Sequence, residues 1–471
     1  MSTPIIWVIL PAVAGLVFWL LRKRSDLVVL LGTVLSLILM LLAWQMPIGQ
    51  AIHLGPVSLV VDSTLDFAGR KLVLDNGDRS FLTLIFFFCT FWFAGMSAAG
   101  ANTLLVPFGF GMVALLVAAQ AVDPFLYSAL LIEMAVLIAV PILAPPGKPF
   151  GQGTLRFVIF QTLAMPFILL AGWALGGVEA NPSNSTLITL AIVFLALGFA
   201  FWLAVFPFYT WVPLLAESSF PYASGFVFLL LPTVNLLIGL NYLDRFGWLR
   251  SIPDLFLIIS QVGALMVVTA GLWAAFQKDM ARLFGYAVIV ETGFSLLAIS
   301  LQSRIGDQLF AGMFLPRAIA MGLWALSLSI MVKHTRSTKF EELGGFAYRF
   351  PIASAGMAVA SLSLAGLPLL ALFPARQVLL EELAQHSLTV AVLALAGMVG
   401  MLFSTFRALA VLSRQRPDDE DHEASPAFGT ETRTQKILLI VGMVMLLLIG
   451  ILPQAFLHLF NGLLLAYPQL P

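Results

Sequence analysis

The chain has 471 residues, of which 60% are hydrophobic and only 10% charged, and its mean hydropathy is +1.00. A water-soluble domain carries roughly 25% charged residues, so this composition excludes one and predicts an all-α polytopic membrane protein. The formal net charge of zero offers no basic surface for nucleic acid.

A run of about 18 or more apolar residues crosses the hydrocarbon layer as a helix. Fourteen such runs are predicted, near 4–21, 27–46, 81–99, 103–121, 124–144, 156–176, 185–206, 223–243, 254–276, 283–301, 308–332, 351–372, 386–413 and 436–459. The first has no basic region before it and no small-residue cleavage site after it, so it is read as a retained span. The segment 47–80 between the second and third spans is long, and its alternation in "GPVSLVVDSTLDFAGRKLVLD" predicts a small β-hairpin at the membrane surface. The lone cysteine, Cys89, lies in an apolar run and supports neither a disulfide nor a thiolate metal site. His53, His334, His386, His422 and His458 are scattered, with no pair at metal-ligand spacing. No GxGxxG or P-loop is present, and no loop is long enough to hold a catalytic centre. No cofactor or metal is expected on this chain.

Ionisable residues inside spans are functional candidates by default, because a charge at the bilayer centre costs about 3 kcal/mol or more. Glu133 sits in the fifth span, Glu291 in the tenth and Arg317 in the eleventh. Each has a structural alternative: Glu291 bonding a neighbouring backbone group or Thr292, Arg317 pairing locally with Asp307. The seventh span, "GFAFWLAVFPFYTWVP", carries Pro207, Trp211 and Pro213, and the twelfth, "SLAGLPLLALFPAR", carries Pro368 and Pro374 just before Arg376. Proline removes a backbone donor, and a helix broken in lipid leaves polar groups that need partners. Arg376 either takes part in such a break or snorkels to the outer interface. Glu381 and Glu382 follow it.

The two broken spans are five spans apart, as are the two glutamate spans. Five is odd, so the offset reverses a unit's direction through the membrane. The pattern predicts two inverted five-helix repeats, over 103–243 and 254–413, flanked by an N-terminal part (1–102) and a last span (436–471). Ion sites in transporters commonly lie at broken helices of this kind. With "RKRSD" (22–26) on the cytoplasmic side, loops after odd spans hold about 15 Lys and Arg and those after even spans about 7, which puts both termini outside the plasma membrane. The acidic tract "DDEDHE" (418–423) reads as a solvated loop.

Four stretches in order resemble the antiporter-like membrane subunits of respiratory complex I, membrane-bound hydrogenases and Mrp-type antiporters: "FPFYTWVPLLAESSFPYASG", "FQKDMARLFGYAVIVETGFSLLAI", "FEELGGFAYRFP" and "SLAGLPLLALFPARQVL". The resemblance spans roughly the third to the fourteenth span. It implies proton (or sodium) movement along a mid-membrane axis of charged residues, coupled to redox chemistry on partner membrane subunits. The family's span-five glutamate falls on Glu133. Its span-seven lysine falls on Trp202 and its span-eight lysine near Val234, beside Asn235. Its span-ten histidine falls on Glu291, its span-eleven histidine and lysine on Arg317 and Met321, and its span-twelve lysine or glutamate on Arg376. Without the span-seven lysine, Glu133 loses the counter-charge that the family places beside it. Arginine holds its proton at ordinary pH, so Arg317 and Arg376 are expected to set a field rather than to carry protons. The long lateral helix that one complex I subunit carries is not present. Two other readings stay open: a non-pumping scaffold subunit, and a membrane partner of an inorganic-carbon uptake system.

Overall fold

The computed structural model describes residues 2–49, 51–54, 57–60, 62–67, 69–144, 151–181, 185–414, 431–456, 459 and 461–470. The acidic tract at 418–423 lies outside the described residues. In chain order, a π-helical turn Ile5–Ile9 leads into α1 (Leu10–Leu20), then α2 (Ser25–Gln45), α3 (Arg79–Ala99), α4 (Leu105–Ala121), α5 (Ser128–Leu143), α6 (Gln152–Ala180), α7 (Ser185–Trp202), α8 (Trp211–Ser218) and α9 (Pro221–Arg245). The short α10 (Gly247–Arg250) precedes α11 (Leu255–Ala275), α12 (Met280–Ser300), α13 (Arg304–Gly312), α14 (Phe314–Thr335), α15 (Phe346–Arg349), α16 (Pro351–Ala365), α17 (Phe373–His386), α18 (Leu388–Leu412), α19 (Arg433–Ile451) and α20 (Pro453–Phe456).

Each apolar run expected from the sequence contains helix, though the runs 185–206 and 351–372 extend past the ends of theirs, at Trp202 and Ala365. Among the described residues, eleven helical segments are long and apolar enough to cross a membrane, and three further apolar ones (Ile5–Leu20, Leu105–Ala121 and Pro351–Ala365) are shorter. Helix is the form that satisfies a lone segment's backbone groups without water. Where a segment begins in a loop, a side chain takes over the first orphan donors. Asp279 caps α12 by accepting from Ala281 N (2.9 Å) and Arg282 N (3.0 Å), and also from Thr338 Oγ1 (2.6 Å). Thr432 and Gln435 form a capping box at the start of α19.

Three segments form the centre. Within their most apolar stretches, α9 is 89% buried, α12 89% and Arg304–Thr335 94%, against 28% for α2 and for α19, whose exposed leucines, isoleucines and valines face outward. Trp92 on α3 and Tyr222 on α9 tie the first part to this centre reciprocally, Trp92 Nε1 donating to Tyr222 O (2.8 Å) and Tyr222 OH to Trp92 O (3.0 Å). On the second side, α11 and α18 cross at backbone contact. A Cβ at Gly271 would overlap the Gly397 carbonyl, and one at Gly397 would overlap that of Val267. Small residues of this kind let membrane helices approach closely.

The segment between α2 and α3 forms two antiparallel pairs rather than the single expected hairpin: β1 (Ala51–Leu54) with β2 (Val57–Val60), and β3 (Thr64–Phe67) with β4 (Arg70–Val73). The second pair gains a third strand, β5 (Val122–Asp123), after α4, with Leu72 opposite Val122 and Lys71 opposite Asp123. The two chain ends reach this same face. Thr3 N donates to Asp62 O (2.7 Å), and near the C-terminus Gln469 N donates to Asp244 Oδ1 (2.7 Å). The C-terminal segment lies over Gly77–Ser80. Beneath it, burial pushes the Asp78 carboxyl from 3.8 up to about 7, with the Asp75 charge acting in the same direction and a hydrogen bond from Asp75 N opposing both.

Two outcomes follow from these contacts. Gly397→Ala is expected to destabilise the protein by about 1–3 kcal/mol, since backbone cannot yield as a side chain does; thermal unfolding in detergent measures it. Asp78 binds its proton more tightly folded than unfolded, so its contribution to stability is present at low pH and is lost as pH rises from about 4 to about 7. In Asp78→Asn that slope disappears from the pH profile of the unfolding temperature.

Candidate functional site: two broken helices and a buried charge cluster

Both proline-bearing spans are broken, with one layout. The first break starts ahead of Pro207: α7 ends at Trp202, Ala204 takes a left-handed conformation (φ 51°), and a 3-10 turn Phe208–Thr210 leads into α8. Pro213, the last residue of the quoted stretch, does not end the helical run. It occupies the first turn of α8, where a missing N–H leaves no helical bond unmade. The second break runs from Gly366 (φ 80°) through Pro368 and Leu369 (φ 71°) to α17, and Pro374 again sits in the first turn of the new helix. In each case the upstream helix ends inside the protein, and its last carbonyls have no intrahelical donor.

At the second break the donor is a guanidinium. Arg376 is fully buried, so it does not snorkel to the interface. Its Nη1 donates to Leu364 O, at the carbonyl end of α16, and its Nη2 to Glu291 Oε1. A cation at a helix C-terminus is favoured by the aligned peptide dipoles. The guanidinium also lies over the Phe294 ring, 4.3 Å from its centroid. Gly366 is required here twice over, by its positive φ and because a Cβ would lie 3.2 Å from both Cδ and Nη1 of Arg376.

Glu291, midway along α12, is held from its other side by Arg317 of α14. Arg317 Nε donates to Glu291 Oε2 (3.1 Å), and Arg317 Nη2 donates to Glu291 O (3.0 Å) and to Ser295 Oγ (2.6 Å). Ser295 stands one turn after Glu291, on the same face. The local alternatives for these residues are thereby corrected: Arg317 bonds Glu291 rather than Asp307, and Thr292 Oγ1 donates to Val288 O rather than to Glu291. The result is one carboxylate between two guanidiniums, with Glu291, Arg317 and Arg376 exposed by 2%, 4% and 0%. Met321, one turn along α14 from the cluster's arginine, is buried.

The first break is closed without charge. Trp202 O, at the carbonyl end of α7, accepts from Gln161 Nε2 of α6 and Asn235 Nδ2 of α9, both at 3.4 Å. Val234 is buried beside Asn235. Gln161 Oε1, Asn235 Oδ1 and Trp211 Nε1 are buried without a protein partner. A narrow cavity lined by Gln161, Trp202, Trp211 and Thr292 adjoins them, with room for about one water. On the neighbouring face of α6, Thr162 Oγ1 donates to Glu133 Oε1 (2.7 Å), while Glu133 Oε2 has no partner among the described residues. Thus the structure brings Glu291, Arg317 and Arg376 together and leaves Glu133 apart. Sequence reasoning missed Gln161, Thr162 and Ser295. The adjacent polar pair Gln161–Thr162 in the apolar stretch Phe157–Leu175 of α6 was the available signal.

A bundle of apolar helices long enough to cross a membrane, with two spans interrupted and one interruption tied to a buried charge, is the build of an antiporter-like membrane subunit. Residues 152–404 match the family model described as NADH:quinone oxidoreductase/Mrp antiporter, transmembrane. The chain belongs to that family. It is 30% identical over 322 residues to NADH-quinone oxidoreductase subunit N of Cereibacter sphaeroides, covering 66% of this chain and 68% of the relative. With subunit N of Sulfurimonas denitrificans it shares 27% over 271 residues, 53% of this chain and 52% of the relative. It therefore spans about half to two thirds of the length of these relatives. Its fold is similar to a chain of the Mrp complex from Dietzia sp. DQ12-45-1b (TM-score 0.81, 14% identity, 98% of this chain and 96% of that one). It is also similar to a chain of respiratory complex I from Thermus thermophilus (TM-score 0.75, 20% identity, 99% of each).

Removing one member of a buried ion cluster leaves the others unpaired, which costs about 3–5 kcal/mol. Glu291→Gln is accordingly expected to lower stability by that order. Replacing all three charges together, as Glu291→Met, Arg317→Met and Arg376→Leu, is expected to cost much less. Unfolding of the wild type and these two variants in one detergent gives the comparison.

Proposed function

We propose that this chain moves protons as one subunit of a multi-subunit membrane complex, with Glu133 exchanging the proton and Glu291, Arg317 and Arg376 forming a fixed charge. The observation that carries the reading is the unequal partnering of the two mid-span glutamates. Glu291 has guanidinium donors on both oxygens. Glu133 has a single hydroxyl donor and one bare oxygen, so its carboxyl gains or loses a proton without breaking an ion pair.

A fixed field beside a carboxyl changes how tightly that carboxyl holds its proton. On this reading partner subunits alter the field or the water around the first break, and Glu133 responds. The resemblance places lysines at Trp202 and near Val234, and here the neutral amides Gln161 and Asn235 bond the Trp202 carbonyl instead, so the step from Glu133 inward runs through water and amide groups rather than ammonium groups. Redox chemistry and its cofactors belong to the partner chains. The excess of Lys and Arg on the loops opposite the strands supports a plasma-membrane orientation with the strands and both termini outside.

A scaffold role is the second reading, and the same amide pair favours it. The two readings separate on Glu133→Gln in the native complex, followed by proton uptake into inverted vesicles during electron transfer. The proton role predicts an assembled complex in which the part of proton uptake carried by this subunit drops at least about 10-fold, with Glu133→Asp partly active. Unchanged uptake by Glu133→Gln contradicts it and leaves the scaffold.

A further inference from the structure

We propose that the groove between α1, α4 and α5 is a binding site for an anionic phospholipid, whose phosphate Arg70 holds and whose acyl chains lie along the helices. The groove has a volume of about 900 Å³ and an almost wholly apolar wall, with Ala12, Leu16, Leu115 and Met134 among its lining residues. Its walls are membrane helices, so along most of its length the occupant must be apolar. Arg70 and Tyr127 line the end nearest the strands, and Trp19 marks the other end, with the Arg22 guanidinium 4.4 Å from its ring centroid. Trp and Arg at that position are what a membrane–water interface selects.

The charge at the strand end favours a lipid over an uncharged occupant. Arg70 is set in place at the mouth of the groove: its guanidinium stacks on Tyr127, 3.9 Å from the ring centroid, and its Nη2 donates to Tyr127 OH (2.6 Å). This leaves most of its five N–H donors available. Among the described residues no carboxylate neutralises it. Of the acids on the two strands flanking β4, Asp123 is paired with Arg245 (3.4 Å) and stands opposite Lys71, and Asp66 stands opposite Lys71 on the other side. An oriented guanidinium with no counter-charge, at the headgroup end of an apolar groove, matches a phosphate followed by hydrocarbon chains. β4 and Val122 roof that end, so the headgroup rests under the strands while the chains run toward Trp19.

The test uses the purified full chain, exchanged into detergent containing equal amounts of phosphatidylglycerol and phosphatidylcholine with the same acyl chains, followed by native mass spectrometry. The site predicts preferential retention of phosphatidylglycerol, a drop of about five-fold in that retention in Arg70→Gln, and loss of both lipids from this site in Ala12→Phe, which fills the groove. Thermal unfolding checks that both variants are folded. Equal retention of the two lipids, or retention unchanged in Arg70→Gln, overturns the proposal. A partner helix in the groove is tested separately in native membranes with Leu16→Cys, since Cys89, the only native cysteine, is buried. Efficient crosslinking of that residue to another membrane subunit overturns the lipid assignment, and crosslinking to a photoreactive anionic lipid supports it.

Discussion

The arrangement rests on one constraint: two helices end inside an apolar layer, and the carbonyls they expose must find donors. Water is scarce there and an unpaired buried carbonyl is costly. Each break therefore draws in side chains from other helices, and the chemistry of those side chains decides what the break can do. At α16 the donor is Arg376, which brings a positive charge into the core and with it the need for Glu291 and, through Glu291, Arg317. At α7 the donors are Gln161 and Asn235, which bring none.

The two halves thus share a backbone solution and differ in electrostatics. The layout of helix end, left-handed residue, first proline, turn and second proline within a new helix recurs at Trp202–Pro213 and Ala365–Pro374. One half holds a buried ionic cluster with two cations to one carboxylate. The other holds polar groups with unused hydrogen-bonding capacity, next to a small cavity and one α6 residue from the glutamate's donor Thr162. A buried cluster contributes little net stability after desolvation is counted.

Much of the fold was legible because the physics is local. Apolar runs long enough to span hydrocarbon appear as helices, and paired prolines mark both breaks. Details of the breaks were less legible. Pro213 reads as a terminator in isolation, yet it starts α8, because proline fits the first turn of a helix as well as it ends one. The cluster was only half visible. Glu291, Arg317 and Arg376 each stand out as charges in apolar sequence, but their meeting spans 26 and 85 residues and depends on which faces of α12, α14 and α17 turn inward. Apolar membrane helices carry little amphipathic signal from which to read those faces. The same reason hid the amide pair: Gln161 and Asn235 are unremarkable until Trp202 O is placed between them.

The central claim is that Glu133 is the mid-span glutamate that exchanges a proton, while Glu291 stays paired with Arg317 and Arg376. Infrared difference spectroscopy across a pH step, on the purified complex, tests it directly through the carbonyl stretch of a protonated carboxyl group. The account predicts a band that vanishes in Glu133→Gln and persists in Glu291→Gln. A band that survives Glu133→Gln but is lost in Glu291→Gln contradicts it, because the carboxyl clamped between Arg317 and Arg376 would then be the one that exchanges its proton.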